Sequence, residues 1–285
     1  MATRIVDVHP HVISRDDGRY PRAPLFGVQS DWSRERPVPI EDMIAAMDEA
    51  GVDKSAIVQA STCYGHDNSY LAESIAKHKD RLTGVCSVDI RAPDAVEKLK
   101  FWRERGMTGL RLFTGGSTRA IDASWIDEPS TFPAWDYATQ TGMSVCLQMS
   151  PAGVPQVLGI LKQFPKVKLL LDHLARPEIA DGPPYAAAKP LFSLVPYGNV
   201  YLKATPLIFR AVREGKATPE SFFKVLVREF GASRIAWGSN YPATPGPLSK
   251  ILAVARESLA SVSSKDQEWI FGRTAQSIYP VLADK

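Results

Sequence analysis

A chain of 285 residues with 45% apolar and 23% charged residues has the make-up of an ordinary globular protein, and its length is close to the roughly 250 residues of one (β/α)₈ barrel. The net charge of +3 arises from 34 basic and 31 acidic residues without a Lys/Arg cluster, which argues against nucleic acid or a membrane surface as partner. Cys63, Cys86 and Cys146 show no CxxC spacing, so a disulfide framework and a thiolate zinc site are not expected, and a reducing cytoplasm fits.

The opening Met-Ala-Thr-Arg-Ile-Val-Asp enters a strand pattern at once, leaving no apolar region for a signal peptide. No apolar stretch approaches the ~18 residues of a membrane helix, so a cytoplasmic location is expected. The first strand is predicted over residues 5–11. An irregular stretch follows over 14–39, longer than a usual βα connection and of the kind that carries function. A helix over 40–51 stops at Gly51. Strands over 56–60, 82–88, 109–113, 144–148, 168–173, 200–204 and 234–239 then alternate with helices over 69–78, 94–105, 132–141, 154–164 and 219–230. Gly106, Gly142 and Gly231 sit where helix-ending glycines belong. Residues 181–190 and 243–247 read as loops, and 266–279 as a C-terminal helix. Short apolar strands alternating with helices predict a parallel sheet with helices outside. Eight such units predict one α/β domain over 1–285, a (β/α)₈ TIM barrel, with an open doubly wound sheet as the alternative.

Barrel active sites form where the strands end, and polar residues gather there. The first strand ends Asp7, His9, His11, whose alternation turns all three to one side, and Pro10 marks the strand's limit because it cannot donate to the ladder. The later strands carry Gln59, Arg111, Gln148, His173, Lys203 and Asn240. Buried polar groups cost free energy unless they are satisfied, so their concentration at one end points to a site. His66, in the loop after the second strand, is a further candidate for the mouth. Asp172 neighbours His173 and is expected to face the helix layer.

In order and spacing these segments resemble the amidohydrolase superfamily, in the lactonase-like part of its amidohydrolase-2 branch. The resemblance is carried by Asp7-x-His9-x-His11 followed by Tyr20-Pro21, by Leu171-Asp172-His173-Leu174-Ala175-Arg176-Pro177, and by Val200-Tyr201-Leu202-Lys203. Arg234-Ile235-Ala236-Trp237-Gly238-Ser239-Asn240-Tyr241-Pro242 and Gly272-Arg273-Thr274-Ala275 complete it, with Thr274 where Asn is usual. It implies a hydrolase of a lactone or another ester-like or amide-like bond in a small-molecule substrate. In metal-using members the first-strand histidines hold zinc. In metal-free ones the histidines polarise the carbonyl, and an eighth-strand Asp activates water.

Here that position is Asn240, and a carboxamide neither takes a proton near neutral pH nor brings charge to a metal. The base is therefore open between Asp7 and a neutral histidine, and a reaction needing no activated water, such as non-oxidative decarboxylation, stays an alternative. A non-catalytic metabolite-binding barrel is a third reading. The expected catalytic set is Asp7, His9, His11, His173 and Asn240. Gln59, Arg111, Gln148, Lys203 and Tyr20 are expected to bind a carboxylated substrate. The cofactor is either none or one divalent metal, zinc, on His9, His11 and His173. The sequence leaves a homo-oligomer open.

Overall fold

Eight parallel strands form one sheet whose order follows the chain, β1 to β8, in the computed structural model, which describes residues 4–283. The first three and last two residues, part of the opening pattern and of the predicted domain, lie outside the described residues. The strands are β1 (Val6–Asp7), β2 (Lys54–Val58), β3 (Leu82–Ser87), β4 (Met107–Phe113), β5 (Ser144–Gln148), β6 (Leu169–Leu171), β7 (Val200–Ala204) and β8 (Ile235–Trp237). The sheet curls until β8 meets β1, where Val8 N–H donates to the Trp237 carbonyl at 3.2 Å and His11 N–H to the Tyr241 carbonyl at 2.8 Å. Gly238 is required at this seam, because a Cβ there would lie 2.6 Å from Cβ of His9. The result is a nearly closed (β/α)₈ barrel.

Helices cover its outside: α1 (Ile40–Ala50), α2 (Ser69–Lys77), α3 (Ala95–Arg103), α4 (Phe132–Thr141), α5 (Val154–Gln163), α6 (Pro206–Ala211), α7 (Pro219–Phe230) and α8 (Leu248–Ser258). In α7, Phe222, Phe223, Leu226 and Phe230 are buried at the three- and four-residue spacing that makes one apolar face. Each such side chain contributes about 1.5–3 kcal/mol on burial. Thr218 starts the helix by accepting the Ser221 N–H in a reciprocal capping box, and replacing it with Ala would cost about 1 kcal/mol.

Two units depart from the predicted alternation. After β6 the chain makes only a single turn of helix, Lys189–Phe192. After β8 it forms α8, which the sequence reading does not assign. That helix starts behind Pro247 with no capping side chain, so it lacks the usual start signal.

Inside the barrel, Val6, Val8, Ala56, Val58, Val85, Cys146, Leu170 and Ala236 pack with Ala275, Ile278, Tyr279 and Leu282 from the C-terminal segment. Thr274 donates to the Ala232 carbonyl just ahead of β8 at 3.0 Å, so this segment stoppers the end where the strands begin. The opposite end is left for the polar residues. All three cysteines are free and buried. Among the described residues no helix is long and apolar enough to cross a membrane.

Candidate active site

Regular pairing of β1 stops at Asp7, and the chain bends at Val8 and His9. Val6 and Val8 face the barrel interior, so strict alternation does not bring Asp7, His9 and His11 together; the bend brings the His9 and His11 rings together and leaves Asp7 at the seam. Asp7 holds the bend. One carboxylate oxygen accepts the N–H of His9 at 3.0 Å and that of Ser239 at 2.9 Å, joining β1 to β8. The other oxygen is buried without a hydrogen-bond partner among the described residues. Burial outweighs the bonds from Ser239 and His9 and raises the Asp7 pKa to about 6. Asp7 is thus turned to the backbone, the geometry of an orienting residue.

At β6, Leu170 points inward and so does Asp172. The expectation that Asp172 faces the helix layer is corrected here. Its carboxylate is fully buried on the barrel axis, 3.0 Å from Nζ of Lys203, 3.4 Å from Nδ1 of His9 and 3.6 Å from Nε of Arg111. Burial opposes its ionisation, but Lys203, then His9 and Arg111, hold its pKa well below the usual carboxylate value. His173 follows on the same side because His173, Leu174, Ala175 and Arg176 all have positive φ, between 53° and 57°. Left-handed backbone costs roughly 1–2 kcal/mol per L-residue, and strain of this kind clusters at functional sites. The left-handed turn swings both His173 and Arg176 into the mouth. An alternation rule has no means of foreseeing it.

Above this layer lies a cavity of about 250 Å³, lined by His11, Arg111, Gln148, His173, Arg176 and Asn240, with Trp32 and Arg210 at its rim. Nδ1 of His11 lies 2.8 Å from the Val58 carbonyl. A carbonyl can only accept, so Nδ1 carries the proton and Nε2 keeps its lone pair. Burial, then the Arg111 charge, hold the His11 pKa to about 3. The His173 pKa is also about 3, through burial, and its Nδ1 is 2.7 Å from Oγ1 of Thr205. His9 lies one layer down, fully buried, its ring centroid 5.2 Å from that of His11 and 4.9 Å from that of His173. Arg111 donates to the Gln59 carbonyl at 3.1 Å. Nε2 of Gln148 has no partner among the described residues. Asn240, at φ 52°, donates to Oγ1 of Thr244 at 3.2 Å, which leaves its carbonyl oxygen for the cavity.

Besides Asp7 and His9, four nominated residues lie outside this cavity. Lys203 is fully buried beneath His9 and does not line the cavity. The Gln59 side chain donates to the Asp67 carbonyl at 2.5 Å. Tyr20 donates to Glu73 at 2.7 Å and packs on Tyr70. His66, bonded to Oγ of Ser87 at 3.0 Å, lines a neighbouring cavity of about 120 Å³ that shares Arg111 and Phe113 with the first. Sequence reasoning did not nominate Arg176, Trp32, Thr205 or Ser239. Arg176 stood inside the sixth-strand motif and Ser239 inside the eighth-strand one, whereas Trp32 and Thr205 lie in connections that carry no local signal.

His9, His11 and His173 are the side chains that would hold a divalent ion. They form an incomplete set: among the described residues no three His, Cys, Asp or Glu side chains group at metal-binding spacing. Asn240 adds no charge, and Asp172 is engaged by Lys203 and Arg111. A dication would join three cations already present, Lys203, Arg111 and Arg176. The charge balance favours an anion.

Known proteins agree with this architecture. A curated relative, the L-fucono-1,5-lactonase of Burkholderia ambifaria, is 26% identical over 243 residues, covering 84% of this chain and 80% of its own. A Pseudomonas putida protein assigned as a 2-pyrone-4,6-dicarboxylic acid hydrolase superposes with TM-score 0.79 at 20% identity over the whole of both chains. An amidohydrolase from Burkholderia multivorans with bound zinc gives TM-score 0.76 at 20% identity over 97% of this chain and 99% of its own. A dihydroxybenzoic acid decarboxylase from Polaromonas with bound manganese gives 0.67 at 18% identity over 99% and 98%. At these identities the superpositions speak for the fold, and the last two proteins show that relatives hold divalent metals. The amidohydrolase family profile (Amidohydro_2) matches residues 6–281, and the chain belongs to the amidohydrolase family.

Proposed function

We propose that this protein hydrolyses a small carboxylated lactone or a closely related ester. The observation that carries the reading is one cavity of about 250 Å³ shared by two guanidinium groups, Arg111 and Arg176, and two neutral imidazoles, His11 and His173. The lactonase relative supports the same bond type.

Arg111 and Arg176 grip the carboxylate, for which a guanidinium's paired donors are suited. Its charge cancels that of Arg111, which otherwise holds His11 down, so substrate binding itself raises the basicity of His11. Asn240 orients a water, and Nε2 of His11 takes its proton as the oxygen attacks the acyl carbon. Histidine N–H groups and Gln148 stabilise the oxyanion. The ring C–O bond then breaks, His11 returns the proton to the leaving alkoxide, and a hydroxy acid leaves. The divalent metal suggested by family relatives has no part in these steps.

A panel of carboxylated five- and six-membered lactones, followed by acid release with and without chelator, tests the reading. Acid should appear at equal rates in both. Carbon dioxide without net acid would instead identify a decarboxylase, and ligand-induced thermal stabilisation without turnover would identify a binding protein.

A further inference from the structure

We propose that Lys203 is a positioning residue that fixes His9 as the Nε2–H tautomer, making His9 a neutral hydrogen-bond donor toward the site and removing it from the set of metal ligands. Nζ of Lys203 is 3.3 Å from Nδ1 of His9 in hydrogen-bonding geometry, and both side chains are fully buried. An ammonium can only donate, so Nδ1 must accept and the ring proton resides on Nε2. Asp172 also lies 3.4 Å from Nδ1, longer than a normal N–H···O bond, while it lies 3.0 Å from Nζ of Lys203. Its part is to pair with Lys203: the carboxylate lies 3.0 Å from Nζ, with both side chains fully buried.

Nε2 of His9 is buried without a hydrogen-bond partner among the described residues, and the His11 and His173 rings flank the His9 ring. His9 and His11 therefore carry their protons on opposite nitrogens. Val58 leaves His11 a lone pair, and Lys203 leaves His9 a donor. Two adjacent histidines of one motif so divide the roles of base and electrophile, and this division supplies the base that Asn240 does not. With Nδ1 accepting from Lys203 and Nε2 protonated, His9 has no lone pair for a metal.

The effect on turnover rests on the lactone-hydrolysis reading, but the tautomer does not, so it is measured without substrate. Long-range ¹H–¹⁵N correlation on histidine-labelled protein, with His9 assigned through His9→Gln, should show its proton on Nε2. A proton on Nδ1 would overturn the proposal whatever the catalytic result. In Lys203→Met the proton should move to Nδ1, facing Asp172, and kcat should fall at least ~10²-fold, the scale of one lost oxyanion donor, with KM held within about threefold. An unchanged tautomer in folded Lys203→Met would overturn it. In Asp172→Asn the Lys203 amine, charged or neutral, still has an N–H to donate to Nδ1 and the proton should stay on Nε2; a shift there would assign the control to Asp172 instead and also overturn it.

Discussion

Asp172 and Lys203 form an ion pair of 3.0 Å on the barrel axis, with both side chains fully excluded from solvent. Removing one partner leaves the other charged and buried, which costs about 3–5 kcal/mol, whereas apolar replacement of both is often close to neutral. Asp172→Asn should lower the unfolding free energy by that amount in urea titrations. Asp172→Leu combined with Lys203→Met should recover most of it. A double variant no more stable than the single one would show that the pair does not act as a unit.

Asp7 links stability to pH. Its pKa rises from 3.8 to about 6 on folding, so the folded state binds the extra proton between those values and stability falls as pH rises through that window. The full penalty, about 3 kcal/mol for a shift of this size, is present above pH ~6 and absent below pH ~4. The stability difference between Asp7→Asn and wild type should therefore move in favour of the variant by about 3 kcal/mol from pH 4 to pH 7. A difference independent of pH would contradict the burial of this carboxylate.

At the seam, Gly238→Ala places a methyl 2.6 Å from Cβ of His9. Overpacking of this kind costs roughly 1–3 kcal/mol, and the strain falls on the residue that carries the oxyanion donor. Both the melting temperature and kcat should drop, with KM nearly unchanged. Wild-type behaviour would mean that β1 and β8 are further apart than described.

Asn240 lines the cavity beside His11. Asn240→Asp adds a carboxylate that can accept a proton, so lactone hydrolysis should rise or extend to lactones without a carboxylate, and metal content by elemental analysis should increase. No change in either measurement would remove residue 240 from the reacting centre.

Most of the barrel was legible because β-branched and aliphatic runs such as 144–148 and 200–204 read the same in isolation as in the fold; both became strands with those limits. Convergence of the histidines was legible from their strand-end positions, though not the manner of it. The bend at His9 depends on a carboxylate reaching Ser239, 232 residues away. The inward turn of Asp172 together with His173 depends on four successive left-handed residues, none of them the glycine or asparagine that would announce such backbone. Tyr20 and Gln59 lie outside the cavity for a different reason: their polar atoms meet other partners, Glu73 and the Asp67 carbonyl, that the sequence does not announce.

Ala275, Ile278, Tyr279 and Leu282, which fill the barrel's floor, are encoded after all eight strands. During synthesis every strand leaves the ribosome before the group that fills their shared interior, and a hollow sheet exposes apolar surface that invites aggregation. The nascent barrel thus waits on its final helix, and ribosomes halted before codon 275 should display a chain far more open to protease than those halted beyond 282 with the tunnel cleared.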